Sequence, residues 1–596
     1  MPTYDAPVRD FRFVLHDLLQ IEKFSNIPGF EEATPDLVDA ILEEGAKMVG
    51  EVVAPLNQVG DSEGCKLEDG VVTTPTGFKE AYATYCEGGW GGLTADPDYG
   101  GQGLPHVLGV VMQEMMSGAN MAFGMYPGLT HGAYEAIHKH GTDAQKQTYL
   151  PKLVSGEWTG TMNLTEPHCG TDLGLMRTKA EPQDDGSYRV TGTKIFSSAG
   201  EHDMAENIIH LVLAKIPGGP EGVKGISLFI VPKFHVNADG SLGERNGVVC
   251  GSIEHKMGIH GNSTCVMNYD GAVGYLIGGA HRGLRAMFTM MNAARLGVGM
   301  QGLGVSEAAY QNAAIYARDR IQGRSISGAK APEKAADPII VHPDVRRMLM
   351  TIRAFNEGAR ALALWTGLKL DMAEKHPDDR ARRDAEDLVA LITPVIKAYL
   401  TDAGFESANM AMQCYGGHGY IHEWGMEQFV RDARIAQIYE GANGIQALDL
   451  VGRKLPEHMG RSLRQFCHPV DAFIHDNMAD PGLKDFVMPL AKAFARFQQA
   501  TAHVAQAGLK NPDEAGAASS DYLRMFALVA LGFMWAQVAK VAREKIAEAN
   551  GDAGFYENKL KTARFFMARM LPDTSSLLSK VTSGAETMMA LDAEAF

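Results

Sequence analysis

Hydrophobic and polar positions follow two different periods along this chain, and the change between them divides it into segments. From Thr34 to about Leu153 apolar residues recur at helical spacing, as in DLVDAILEEGAKMVGEVVAPLN and HVLGVVMQEMMSGAN. Short β-rich runs separated by turn residues follow, among them SYRVTGTKIFSSAG, NIIHLVLAKI and GISLFIVPKF. Long helical patterns return from His281, beginning with MFTMMNAARLGVGMQGLGVSEAAYQNAAIYARDR. The pattern therefore predicts an α+β multidomain protein with a β domain between helical domains.

A break at Lys454 to Pro456 separates the second helical region from a third one, which includes SSDYLRMFALVALGFMWAQVAKVAREKIAEA. The length of 596 residues agrees with roughly four domains at about 150 residues each. We predict an N-terminal helical domain over 1–154, a β domain over 155–278, a helical bundle over 279–458 and an additional helical C-terminal domain over 459–596.

Composition and charge narrow the class of protein. The chain is 45% hydrophobic and 21% charged, which is typical of a folded globular protein and excludes wholesale disorder. Its formal net charge of −17 would repel nucleic acids and anionic lipids, so neither is an expected partner.

The cysteine content and the hydropathy of the chain indicate the cellular compartment in which the protein is expected. Seven cysteines are an odd number and show no CxxC spacing, which argues against a disulfide framework and a zinc ribbon. The longest apolar run, Met525 to Ala536, is shorter than the ~20 residues that cross a bilayer, so it predicts a buried helix. We expect a cytoplasmic protein with no membrane span and no metal site.

One motif matches a dinucleotide-binding pattern but lies in a context that does not fit that function. Gly297 to Gly302 matches G-x-G-x-x-G, but it lies inside a continuous helical pattern with no preceding strand, unlike a dinucleotide-binding turn. Its small residues instead predict close helix packing. The absence of a Walker loop, of G-x-S-x-G and of H-E-x-x-H argues against P-loop, α/β-hydrolase and zincin functions.

Three segments do carry a recognisable signature: MNLTEPHCGTD from Met162, KIFSS from Lys194 and RDARIAQIYEG from Arg431. In their order around a helical–β–helical plan they resemble the acyl-CoA dehydrogenase family, and the resemblance covers about residues 35–455. The long form resembles a bacterial subgroup with a C-terminal extension that includes 3-(methylthio)propanoyl-CoA dehydrogenases and broad-chain acyl-CoA dehydrogenases.

The resemblance implies a β-barrel-like central domain and FAD bound without a Rossmann fold. The residues that it places at FAD are Met162, Leu164, Thr165, Gly170, Thr171, Phe196, Ser198, Arg320, Gln413, Gly416, Gly417 and Ala442. Phe196 replaces the usual tryptophan, and Ala442 replaces a residue whose hydroxyl usually contacts FAD. The segment around Arg320 is one residue shorter than the family pattern, so Arg318 or Arg324 could carry its role.

The implied reaction is α,β-desaturation of an acyl-CoA thioester to the trans-2-enoyl-CoA. It requires a base for the α proton and an acceptor for the β hydride, which no side chain can supply alone. The resemblance makes Glu440 the base and flavin N5 the hydride acceptor. Ala294 occupies the position where some relatives carry the catalytic carboxylate. Asn292, Arg295 and Gly441 are expected at the acyl-CoA substrate.

The resemblance also implies partners. Arg320 and Gln413 would act across a subunit boundary, so we expect a homo-oligomer, with a dimer favoured over a tetramer. An electron-transferring flavoprotein is the expected electron acceptor. The alternatives are an acyl-CoA oxidase that uses oxygen and a DNA-binding alkylation-response flavoprotein. The net charge and the lack of a basic cluster in the C-terminal region argue against the second alternative. The sequence leaves open whether the substrate is 3-(methylthio)propanoyl-CoA or a short- or medium-chain acyl-CoA.

Overall fold

The computed structural model describes residues 2–548 and 552–596, which form two compact units. A helical unit comprises Met1–Ala46, Pro105–Glu114 and Val298–Phe596, and a sheet unit comprises Lys47–Leu104 and Met115–Gly297. Each unit therefore draws on separate stretches of the chain. The division into four sequence domains stays a prediction.

The helices, in chain order, are α1 Val8–Arg12, α2 Pro35–Met48, α3 Asn57–Glu63, α4 Phe78–Glu87, α5 His106–His140, α6 Asp143–Ser155, α7 Gly283–Asp319, α8 Pro343–Lys375, α9 Asp379–Cys414, α10 Met426–Arg434, α11 Asn443–Asp449, α12 Arg461–Asn477, α13 Lys484–Lys510, α14 Pro512–Ala547, α15 Ala553–Arg569, α16 Thr574–Val581 and α17 Glu586–Met589. The strands are β1 Lys66–Glu68, β2 Val71–Thr73, β3 Trp158–Asn163, β4 Lys179–Pro182, β5 Tyr188–Ser198, β6 Asn207–Lys215, β7 Ile226–Pro232, β8 Phe234–Val236, β9 Leu242–Arg245, β10 Val248–Ile253 and β11 Thr264–Ile277.

The main sheet closes on itself. Strand β11 pairs with β5, β5 with β4, β4 with β6, β6 with β7, and β7 with β11 again. Strand β10 is added on β11, and β3 is added on β6 in parallel. Alternate residues of β6 enter two cores, with Leu211 on one side and Val212 on the other. The prediction of a barrel-like β domain between helical segments is confirmed.

One hairpin interrupts the N-terminal helical segment. Strands β1 and β2 lie inside the segment predicted to be helical, and they are joined by Asp69 and Gly70, both in the left-handed region. An Asp-Gly pair between short extended runs is a strong hairpin signal. The predicted N-terminal helical domain is confirmed, and this hairpin is an addition to it that is too short to disturb the helical periodicity around it.

The glycines of the G-x-G-x-x-G stretch lie in α7, where they allow α9 to approach closely. A Cβ built on Gly299 would lie 2.7 Å from the Ile396 side chain, and one on Gly302 would lie 2.4 Å from the Leu400 carbonyl oxygen. The interpretation of this motif as a helix-packing element is confirmed.

The C-terminal extension packs on the bundle within the helical unit. Residues Met525–Ala536 of α14 are all buried, as predicted from their apolar run. Trp535 donates a hydrogen bond from Nε1 to the Ala354 carbonyl of α8 at 3.0 Å. Helices α9 and α14 are long and apolar enough to cross a membrane, but 78% and 83% of their most apolar windows are buried. This burial is typical of core helices.

Candidate active site

Strand β5 carries an irregularity at the second motif. Cys265 of β11 pairs with Ser197 and Met267 pairs with Lys194, so one residue of β11 faces both Ile195 and Phe196. This β-bulge places Phe196 in the left-handed region at φ 57°, where a bulky residue is strained by about 1–3 kcal/mol. The Phe196 ring is 60% exposed, while the flanking Lys194 and Ser197 are buried. The bulge therefore presents an aromatic face to the outside of the sheet.

The loop of the first motif is fixed to this bulge by three successive residues. The Lys194 ammonium donates to the Leu164 carbonyl and to the Glu166 carboxylate, both at 2.9 Å, and the Ile195 amide donates to the Thr165 carbonyl at 2.9 Å. The first two motifs are thus brought together in the sheet unit.

Glu166 and Lys194 form a buried ion pair whose side chains are 3% and 0% exposed. Glu166 also accepts hydrogen bonds from the amides of Arg177 and Thr178 at 2.7 and 3.0 Å. Burial raises the pKa of Glu166, but the charge of Lys194 and these hydrogen bonds outweigh it and bring the pKa to about 2. The carboxylate is therefore ionised and holds the loop in one conformation.

The predicted FAD contacts of the sheet unit lie in this loop and on the neighbouring end of β5, and their side chains fit a flavin. Thr165 and Ser198 are half-buried, Gly170 and Thr171 are exposed, and Met162 packs against the core of the sheet. Within the described residues, the hydroxyls of Thr165, Thr171 and Ser198 make no hydrogen bond, so they are available to a ligand. Open hydroxyls beside an exposed aromatic face suit a planar cofactor with polar edges.

Two of the predicted substrate residues lie on α7. Arg295 is 9% exposed and donates to the Asn292 side-chain oxygen at 3.4 Å, while Asn292 is exposed. A buried guanidinium paired with an amide is unlike a solvated arginine on a helix face. The helix therefore holds Arg295 in a defined position.

Glu440 lies in the helical unit, in the turn between α10 and α11. It has φ 55° and Gly441 has φ 85°, so two successive residues adopt the left-handed conformation. Only glycine adopts it without strain, and a strained glutamate must be held by its surroundings. The side chain of Glu440 is half-buried.

Three side chains hold this turn. Lys397, fully buried on α9, donates to the Gly441 carbonyl at 2.8 Å and to the Asn443 side-chain oxygen at 2.9 Å. Gln446 donates to the carbonyls of Glu440 and Gly441, each at 3.2 Å. The Tyr439 hydroxyl donates to Gln301 of α7. The turn is therefore fixed from α7, α9 and α11.

Sequence reasoning missed these positioning residues. Lys397 had one available signal, since a lysine inside the apolar run from Val395 to Leu400 is buried only when it is paired. Gln446 also had a signal, because it matches the last residue of the family pattern that begins at Glu440, whereas Asn443 had none because its partners come from the folded structure.

The predicted residues for the adenine and phosphate end of FAD come together at the end of α7. Tyr316, four residues before Arg320, stacks on Tyr415 with ring centroids 4.0 Å apart. Gln413, Gly416 and Gly417 are all exposed at the end of α9, and a Cβ on either glycine would meet no atom within 4 Å. A ligand can therefore approach this backbone directly.

The three candidate arginines differ in whether their guanidinium groups already have partners within the protein. Arg324 bonds Asp337 at 3.1 Å and the Ala331 carbonyl at 2.9 Å, so its guanidinium is used within a surface loop. Arg318 and Arg320 are exposed and, in the described part of the chain, have no acidic partner. Ala442 precedes α11 as its N-cap residue and offers only backbone.

Comparison with known families agrees with this arrangement of domains and motifs. Residues 41–157, 161–272 and 281–455 match the N-terminal, middle and C-terminal domains of acyl-CoA dehydrogenases. Residues 466–592 match a domain described as acetyl-CoA dehydrogenase C-terminal like. The chain therefore belongs to the acyl-CoA dehydrogenase family.

Individual relatives extend the likeness over the full length. The chain is 43% identical to 3-methylmercaptopropionyl-CoA dehydrogenase of Ruegeria pomeroyi, with 98% of this chain and 99% of that protein aligned. Its fold is similar to Caenorhabditis elegans ACDH-11 in complex with C11-CoA (TM-score 0.78, 18% identity, 99% and 95% covered). It is also similar to a Bacillus anthracis acyl-CoA dehydrogenase complexed with FAD (TM-score 0.73, 21% identity, 92% and 89% covered).

The predicted family, fold, cofactor and reaction class are confirmed. This chain is an FAD-dependent oxidoreductase that acts on the CH–CH bond of an acyl-CoA thioester. The roles of its individual residues are proposals.

Proposed function

We propose that Glu440 is the base that removes the α proton of the acyl-CoA thioester. The observation that carries this proposal is the strained Glu440-Gly441 turn, which Lys397 and Gln446 hold from two sides. Fixing the backbone of a base positions its carboxylate before substrate binds, which is the condition for efficient proton transfer. FAD, when bound, supplies the acceptor for the β hydride. The product is the trans-2-enoyl-CoA.

Glu440→Gln is the direct test. The variant keeps the side-chain volume but loses the proton acceptor, and loss of a general base costs roughly 10²- to 10⁴-fold, about 3 to 5.5 kcal/mol. The measurement is anaerobic bleaching of the flavin by acyl-CoA in the stopped flow. Glu423→Gln, an exposed glutamate in the same unit, is the matched control and should bleach at the wild-type rate. A Glu440→Gln variant with intact FAD that bleaches within a few-fold of wild type would disprove the assignment.

We also propose that the substrate is 3-(methylthio)propanoyl-CoA, with Asn292, Arg295 and Gly441 contacting it. The support is the full-length similarity to the Ruegeria pomeroyi enzyme. A panel of butyryl-, octanoyl-, palmitoyl- and methylthiopropanoyl-CoA tests it through kcat/KM. A preference of tenfold or more for a linear acyl-CoA would show a broad-chain or fatty acyl enzyme instead.

The remaining proposals concern partners. We propose an electron-transferring flavoprotein as acceptor, a cytoplasmic location, and a dimer in which Arg320 and Gln413 act across the subunit boundary. Rapid reoxidation of the substrate-reduced enzyme in air would identify an oxidase. A flavin-loaded monomer in light scattering would refute the role of Arg320 and Gln413 in the partner's site.

A further inference from the structure

A cavity of about 420 Å³ opens in the helical unit where the first turns of α9 and α12 meet. Its lining contains no apolar side chain: four arginines and a histidine face one aspartate and one glutamine. The lining residues are Arg380, Arg383, Asp384, Arg461, Arg464, Gln465 and His468. With the histidine neutral, the four arginines exceed Asp384 and Asp387, which pairs with Arg461, by two positive charges, in a chain whose formal net charge is −17. Such a lining selects for an anion.

The positions of these arginines at the starts of two helices are unfavourable for helix stability. Arg380 and Arg383 are spaced i, i+3 at the start of α9, and Arg461 and Arg464 have the same spacing at the start of α12. The first turn of a helix favours acidic residues, and like charges at this spacing repel. Four cations therefore converge at a cost to helix stability, and such a cost is characteristic of functional sites.

Part of this charge is neutralised within the protein and part is not. Arg461 forms a bidentate pair with Asp387, and Asp384 lies 3.8 Å from Arg380 and accepts from Gln465 at 2.9 Å. Arg383 and Arg464 are exposed and have no acidic partner among residues 2–548 and 552–596. The two guanidiniums are therefore free to bind a ligand.

We propose that this cavity binds the diphosphate group of an organic phosphate, with Arg383 and Arg464 as its main ligands. The planar guanidinium donates two parallel hydrogen bonds to phosphate oxygens, so two unpaired arginines lining one cavity could each bind one phosphate of a diphosphate. The cavity volume lies within the range of about 300 to 1,000 Å³ typical of small-molecule sites. A free nucleotide diphosphate and the diphosphate of a CoA molecule share this chemistry.

The site depends on the C-terminal extension, because α9 belongs to the bundle while Arg461, Arg464 and His468 come from α12. The C-terminal region showed no basic cluster in the sequence because it contributes only two of the four arginines, and the other two lie far away in the chain on α9. The proposal does not depend on the flavin site, since none of the lining residues belongs to the predicted catalytic or cofactor-binding set.

Equilibrium dialysis of the holoenzyme against labelled inorganic pyrophosphate at 0.15 M NaCl tests the proposal. We expect one saturable site per chain and a loss of about a hundredfold in affinity in Arg383→Ala/Arg464→Ala, at tenfold or more for each lost charged contact. Arg564→Ala/Arg569→Ala removes the same charge from α15 in the same unit and should bind as wild type. Wild-type bleaching by acyl-CoA in both double variants would show that the catalytic site is intact.

Competition identifies the source of the diphosphate. Displacement by ADP as effective as by CoA supports a free nucleotide, whereas a second equivalent of bound CoA that is lost only in Arg383→Ala/Arg464→Ala supports the CoA diphosphate. Equal binding in the two double variants, or displacement by sulfate as effective as by ADP, would overturn the proposal. So would salt-dependent binding of duplex DNA that the cavity variant abolishes, since that would identify a nucleic-acid surface.

Discussion

Removing the Lys194 ammonium should disturb the loop of the first motif far more than removing a similar lysine at the surface of the same sheet. Lys194→Met keeps the length and apolar stem of the side chain but leaves the Glu166 carboxylate, 3% exposed, without its cation. The amides of Arg177 and Thr178 would still donate to it and the His168 ring would still lie 3.5 Å away, but the Leu164 carbonyl would lose its donor.

The expected loss of stability follows from the burial of the ion pair between Glu166 and Lys194. Breaking a buried ion pair by removing one partner costs about 3–5 kcal/mol, because a charge is left desolvated and uncompensated. The exposed pair Lys179–Glu181 on β4, with the same residue types at 2.8 Å and side chains 51% and 48% exposed, is the matched control. Exposed pairs contribute about 0.2–1 kcal/mol. At about 2–4 °C per kcal/mol for a unit of this size, Lys194→Met should lower Tm by about 6–20 °C and Lys179→Met by no more than about 4 °C.

The assay is thermal release of flavin fluorescence from the holoenzyme, combined with FAD affinity by titration of the apoenzyme. Lys194→Met should weaken FAD binding as well as lower Tm, because Lys194 holds the carbonyl of Leu164 beside the predicted flavin contacts. The double variant Lys194→Met/Glu166→Gln should recover part of the lost stability, since the buried charge is gone. Equal Tm shifts for Lys194→Met and Lys179→Met would refute the reasoning.

Three further predictions rest on burial and packing. As pH falls from about 4.5 towards about 2, the stability of the wild-type protein against urea should decline, because the depressed pKa of Glu166 links folding to its ionised form. Glu166→Gln should decline less over this pH range. An equal loss of stability with pH in both proteins would contradict this prediction. Gly302→Ala should lower the free energy of unfolding by about 1–3 kcal/mol, because the added methyl group would meet the Leu400 carbonyl. Gly452→Ala, which has open space around it, should leave that free energy unchanged. Equal urea midpoints for the two variants would show that the helices adjust to the methyl group. Trp535→Phe should cost about 1–3 kcal/mol through the lost hydrogen bond to Ala354, and a change below 0.5 kcal/mol, roughly that of an ordinary surface substitution, would disprove this role.

Much of the fold was predictable because periodicity is a local property. The apolar run of α14 and the β-rich runs from β5 to β11 are visible in short windows, and the context of the Gly297–Gly302 stretch was enough to reject a dinucleotide site. The short β1–β2 hairpin was missed, although its Asp-Gly turn was a readable signal.

The sequence by itself determined the order of the segments, the three motifs and, through them, the family and its flavin chemistry. The tertiary structure alone decided how those motifs are held: the bulge that exposes Phe196, the buried ion pair between Glu166 and Lys194, and the buried Lys397 that fixes the Glu440 turn. The physical reason is that each of these depends on a pairing between residues far apart in the chain. Register, burial and convergence of charge exist only after the strands and helices have packed.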